Sequence, residues 1–123
     1  MADFKKLLVW QKSYALALKV RRISSHIRAG ENMGLKSQIV RASDSIPANI
    51  VEGRGQESPK EFVRYLRISL NSAAELEFHL LMAKDLELIG EKTYLSLITN
   101  LTEVKKMLSG LINSIRKKLP PRP

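Results

Sequence analysis

Lys60, Arg64 and Arg67, with Asn71 continuing the line, step by four, three and four residues, the spacing that places side chains along one face of an α-helix. Such a row suits phosphate. Arginine offers a planar fork for bidentate contact, and each phosphate neutralised releases counterions and makes binding salt-dependent. Arg41 and Arg54 approach the start of the row from the preceding segment, while Lys105 and Lys106 have no fixed relation to it. The competing possibility is a solvated face balanced by Glu57 and Glu61, because charged faces are the ordinary exterior of helices. Arg41, Arg54, Lys60, Arg64 and Arg67 are the candidate nucleic-acid contacts.

Bond-breaking chemistry has thinner support. Glu52, Asn49 and Arg41 could form a nuclease-like cluster, but Asn49 could equally answer a backbone carbonyl freed by Pro47, and Arg41 or Arg54 could pair with Glu52. The phosphate-cradling and nucleophile-elbow glycine motifs do not occur, and Gly53-Arg54-Gly55 lacks the preceding strand that such a loop requires. The two histidines, His26 and His79, make no Glu-x-x-His pair; Glu75 and His79 are four residues apart, off the main seam of their helix. With no cysteine in the chain, thiolate metal sites and disulfides are excluded. The expectation is no metal, no cofactor and no enzymatic activity.

The 123 residues suffice for one domain, and 44% of them are hydrophobic, enough for one modest core. Lys and Arg number 21 against 12 Asp and Glu, a net +9 whose long-range field attracts polyanions. No apolar run approaches the roughly 18 residues that span a bilayer, and Lys, Gln and Ser interrupt the hydrophobic letters of the first twenty residues, unlike a signal peptide. A soluble, cytoplasmic protein with no membrane partner is expected. The few aromatic residues mostly fall on inward seams, so any nucleic acid would be held by backbone and shape, with little base reading.

Glycine and proline divide the chain into four long stretches with apolar letters at three- and four-residue spacing. They predict helices over about 8–28, 35–53, 58–87 and 91–118, with 119–123 a frayed tail. In the first, Trp10, Tyr14, Ala17, Val20 and Ile27 point one way, and Lys12, Lys19, Arg22 and His26 the other. The second carries Pro47 inside it, which predicts a kink or an interruption there, and ends at Gly53 as a C-terminal cap. Ser58-Pro59-Lys60-Glu61 has the form of a capping box with proline at the first helical position. The third helix has a main seam of Phe62, Leu66, Ser69, Ala73, Leu76, Leu80 and Ala83. A second apolar stripe of Val63, Leu70, Ala74, Phe78 and Leu81 runs around its side, more than one bundle core absorbs, and predicts a homo-oligomer interface. Short connections make neighbouring helices antiparallel, so the fold class is all-α, a single up-down-up-down four-helix bundle.

Gln38-Ile39-Val40-Arg41-Ala42, followed by Ser45-Ile46-Pro47-Ala48-Asn49-Ile50-Val51-Glu52-Gly53, resembles the 23S ribosomal RNA intervening-sequence proteins, a group of small bacterial four-helix bundles. The likeness extends through Leu8-Val9-Trp10-Gln11-Lys12, through Ser58, Lys60-Glu61-Phe62, Arg64, Leu66-Arg67-Ile68-Ser69 and Ser72, and on to Glu75-Leu76 and Leu80. The resemblance implies similarity in fold to the accessory protein of diversity-generating retroelements, a basic pentamer that associates with nucleic acid and a reverse transcriptase. By that analogy the chain forms a homopentamer. No catalytic activity or binding residue comes with the family name. The leading expectation is a non-enzymatic homo-oligomer that binds RNA or DNA through backbone phosphates; the alternative is an adaptor for a nucleic-acid enzyme such as a polymerase or reverse transcriptase.

Overall fold

A computed structural model describes residues 3–28 and 30–121. Four α-helices follow a short 3-10 turn at Phe4–Lys6: α1 (Leu8–Ser24), α2 (Met33–Arg54), α3 (Pro59–Asp85) and α4 (Glu91–Lys117). Each packs on two others, α1 and α3 both lying between α2 and α4, which closes the square of an antiparallel four-helix bundle. Ile39, Ile46, Ile50, Leu66, Leu76, Leu97, Leu101 and Leu108 fill its centre with almost no exposed surface.

The α2–α3 pair makes the most extensive contact in the bundle, and residues of the proline-containing motif line it. Helix α2 runs without interruption through the buried Pro47, so of the two expected alternatives, a kink or an interruption, the interruption does not occur. Proline removes the donor for the Ser43 carbonyl, yet side-chain donors gather one turn further on. Ser69 Oγ donates to the Ile46 carbonyl (2.9 Å), and Asn49 Nδ2 donates to the Ser45 carbonyl (2.9 Å) and to Ser45 Oγ (3.0 Å), which itself lies 2.8 Å from Ser72 Oγ. Asn49 thus serves Ser45 and not the carbonyl freed by Pro47. Gly53 is buried one residue before the end of α2, and Gly55 takes the capping position. The lack of a side chain at Gly53 permits a close approach, because a Cβ there would stand 2.8 Å from Tyr65 Cβ and 2.9 Å from Phe62 Cδ1.

Helix ends differ from the sequence expectation where polar contacts intervene. Helix α1 stops at Ser24, short of Arg28, because its last turn tightens: the His26 and Ile27 amides donate to the Ile23 and Ser24 carbonyls, and Ser25 Oγ to that of Arg22 (2.7 Å). Helix α3 ends at Asp85 in a motif centred on Glu87, a non-glycine residue at φ 61, with the Leu88 amide on the Ala83 carbonyl (2.8 Å) and the Glu87 amide on that of Lys84 (2.9 Å). Leu119, expected in the frayed tail, is half-buried, while positions 122 and 123 lie outside the described residues.

The inner side of α1 is also rotated from expectation. Val9, Ser13, Leu16, Ala17 and Val20 face the core, leaving Tyr14 46% exposed and Lys19 half-buried. Ser13 fits because its hydroxyl returns to the Trp10 carbonyl (2.9 Å), letting a polar letter act as a small core residue.

Glycine-to-alanine substitutions should therefore have opposite signs at two helical positions. Gly53→Ala is expected to lower unfolding free energy by about 1–3 kcal/mol through overpacking. Gly110→Ala, where a Cβ meets nothing within 4 Å, is expected to raise it by roughly 0.5–1 kcal/mol. Denaturant melts of the two variants check both.

Candidate nucleic-acid interface

Ser58 opens α3, its hydroxyl accepting from the Glu61 amide (3.4 Å) with Pro59 at the first helical position. The Glu61 side chain does not complete a reciprocal cap. It turns outward to Arg64, whose Nε donates to both carboxylate oxygens at 3.2 and 3.3 Å. That hydrogen bond, reinforced by the opposite charge, holds the Arg64 guanidinium above its ordinary pKa, so it stays charged throughout any practical pH range. The same guanidinium stands 4.5 Å from the Tyr65 ring centroid.

Lys60, Arg64, Arg67 and Asn71 are all exposed on one line of α3. Of the two acids expected to balance them, only Glu61 does so, and only for Arg64; among the described residues no carboxylate lies within 4.0 Å of Lys60 or Arg67. The line continues at the same spacing through Ala74, Phe78 and Leu81, giving α3 an exposed seam that is cationic in its first half and apolar in its second.

Lys105 and Lys106 of α4 meet this seam at Asn71. With Leu70, Ala74, Thr102 and Ser109 they line a shallow groove of about 500 Å³ between α3 and α4. Lys105 is engaged by Glu77 (2.6 Å), whereas Lys106 is exposed and pairs with no carboxylate among the described residues. Reflection of the chain about the turn near Leu88 carries Asn71 onto Lys105, which is the signal in the sequence that places these lysines.

Two of the five expected contacts lie elsewhere. Arg41 is exposed thirteen residues before Arg54 on the continuous α2, about 20 Å along its axis. The pairing of Ser45 with Ser72 sets Arg41 beside the second half of α3, away from Lys60. Arg54 is at the correct end but half-buried, 5.7 Å from the Phe62 centroid, with Nε buried and unpartnered among the described residues. It lines a cleft of about 340 Å³ with Ser58, Lys118 and Leu119.

The residues of the nuclease-like cluster do not converge. Arg41 and Glu52 are about 16 Å apart along α2, Asn49 is turned to Ser45, and Glu52 pairs with neither arginine. Among the described residues no group of three or more His, Cys, Asp or Glu side chains could hold a metal ion, and no helix is long and apolar enough to cross a membrane.

The apolar stripe is reduced by the core. Val63 is only 8% exposed and belongs to the interior, and Leu70 is half-buried against it. Ala74 is exposed, with Phe78 at 56% and Leu81 at 42%. Aromatic residues are less inward than expected: Phe4 meets Trp10 edge-on, and Trp10 stacks on Tyr14, both with centroids 4.9 Å apart. They wall an almost wholly apolar groove of about 310 Å³ that Pro47, Ala48 and Val51 complete from α2.

No curated protein matches the chain. A crystal structure at 1.70 Å resolution, of a protein with unknown function from the S23 ribosomal protein family of Bacteroides thetaiotaomicron VPI-5482, superposes with a TM-score of 0.80 at 29% identity. The likeness covers 85% of this chain and 98% of that one. Residues 5–110, which hold α1, α2, the whole α3 seam and most of α4, match the pattern of the 23S rRNA-intervening sequence proteins, and the chain belongs to that family.

Proposed function

We propose that this chain is a non-enzymatic, homo-oligomeric helical bundle that holds RNA or DNA by its backbone phosphates, in the cytoplasm of a bacterial cell. The observation that carries this is the pair Lys60 and Arg67, exposed on one helical line with no carboxylate at ion-pairing distance among the described residues. Arg64 between them is tethered on one edge by Glu61 and keeps its terminal amino groups for a phosphate. Lys106 extends the cationic surface across the α3–α4 groove.

Replacing Lys60, Arg64 and Arg67 together with Gln is expected to weaken binding to unrelated sequences alike. The slope of log affinity against log salt should shrink by about 0.9 for each duplex phosphate that is no longer neutralised. Fluorescence anisotropy over a salt series measures both, and unchanged affinity and slope would clear the stripe of this role.

Self-association rests on the second half of the same seam. Phe78 and Leu81, with Met82 and Leu86 beside them, expose more apolar side chain than an isolated helix end needs. By the fold analogy the copies would number five. The double variant Phe78→Glu/Leu81→Glu is expected to sediment as a monomer with its helical circular dichroism intact. Wild-type protein that is already monomeric at micromolar concentration would remove the oligomer.

The α1–α2 apolar groove favours a second function, an adaptor that receives a protein partner such as a nucleic-acid enzyme. Partner capture that survives nuclease treatment and is abolished in Tyr14→Glu would select it.

A further inference from the structure

The α1–α4 side of the bundle carries a second cationic cluster. Helix α1 contains no acidic residue over Leu8–Ser24, and α4 contains only Glu91 and Glu103. Lys12, Lys19 and Arg22 of α1 line a groove of about 300 Å³ with Asn100 and Glu103 of α4, and Ala15 is a small residue in its wall. Glu103 is engaged by Lys12 (3.2 Å), leaving Lys19 and Arg22 without a carboxylate within 4.0 Å among the described residues.

The hydrogen bonds show which polar atoms are left free. Lys19 Nζ donates to Ser96 Oγ (2.6 Å) and to Asn100 Oδ1 (2.7 Å), so a half-buried ammonium is held by two neutral acceptors and keeps one donor. Because Asn100 accepts through its oxygen, its amide hydrogens remain to donate, as does the Ser96 hydroxyl hydrogen. Arg22 is exposed with its guanidinium unpaired among the described residues. The groove therefore offers donors and net positive charge, with Lys19 already fixed in place, and its uncommitted groups complement an anion rich in acceptor oxygens.

We propose that the α1–α4 groove is a second phosphate-contact surface for the nucleic acid, so that one bundle grips the polyanion on both flanks of α4. This rests on the nucleic-acid reading above and extends it to a site on another side of the bundle from the α3 seam. The outer side of α4 between the two flanks carries Thr99, Thr102, Lys106, Gly110, Asn113 and Lys117, all exposed and free of bulky apolar groups or carboxylates. A phosphate backbone can lie close along such a surface.

The test uses the full chain and a mixed-sequence DNA duplex. Lys19→Gln/Arg22→Gln is expected to fold as the wild type, because Arg22 is exposed and a Gln at position 19 keeps an amide donor for Ser96 and Asn100. Its salt slope should fall by about 0.9 per phosphate, roughly two in all, and by the same amount in the α3 triple variant, as independent sites require. In nitrogen-edited NMR spectra the Asn100 side-chain amide should shift when the duplex is added. If wild-type protein binds and the α3 variant weakens it, while the α1 variant keeps the wild-type slope and the Asn100 amide does not move, the second surface is overturned and the nucleic-acid reading stands. If wild-type protein shows no salt-dependent binding to duplex or single strand, both fall together.

Discussion

The close approach of α2 to α3 at Gly53 determines the rest of the molecule. With no Cβ at that position, Phe62 and Tyr65 press against the α2 backbone, and higher up the interface the Ser69 and Ser72 hydroxyls bind Ile46 and Ser45. These contacts fix both the separation of the helices and the rotation of α3 about its own axis. Rotation matters because successive helical residues are about 100° apart. A slip of one position would carry Arg67 toward a groove and expose Leu66, so the small residues of the seam also place the cations in solvent.

Once α3 is held in this way, its surplus apolar surface is divided unequally. Val63 and Leu70 lie on the flank nearer α4 and are taken into or against the core, whereas Phe78 and Leu81 lie further out and are not. The exposed seam thus has two chemically different halves on one continuous helix. A polyanion at the first half and another protein surface at the second would be read by a single continuous helix with no hinge between them.

Much of this is legible in the sequence. The Ser58-Pro59 start, the main seam of α3 and the four-helix arrangement follow from spacing and caps, which are local properties. Polar letters in buried places are the part that spacing misjudges. Ser13, Ser24, Ser43 and Ser72 are core residues in this bundle alongside Ser69, which the α3 seam already includes, and treating Ser13 as solvent-facing misplaces the inner side of α1 and puts Tyr14 inside. The Ser-Ile-Pro-Ala-Asn-Ile run, distinctive as a motif, is accounted for by helix packing. Its distinctiveness reflects the few side chains that can serve backbone carbonyls beside a proline. Arg41 and Arg54 join the stripe only by nearness in sequence; a continuous α2 separates Arg41 from it, since only a break at Pro47 could have folded Arg41 back toward Lys60.

The acids show why the positive charge is concentrated where it is. Exposed ion pairs contribute little to stability, yet the pairs here sort the cations. Glu61 takes Arg64, Glu77 takes Lys105, Glu103 takes Lys12 and Asp44 takes Arg21, each beside a cation that is left alone. On α2 and the α1–α2 side, Asp44 binds Arg21 through hydrogen bonds and charge, raising its pKa, and the adjoining groove is apolar. Around α4 the cations without a carboxylate among the described residues include Lys60, Arg67, Lys106, Lys19 and Arg22, together with Lys92, Arg116, Lys117 and Lys118 on or next to α4 itself. A net +9 spread evenly would give a weak field in every direction. Glu61, Glu77 and Glu103 are already engaged and offset these cations less, and a field with direction is what a surface needs if it is to orient a long polyanion as well as attract it.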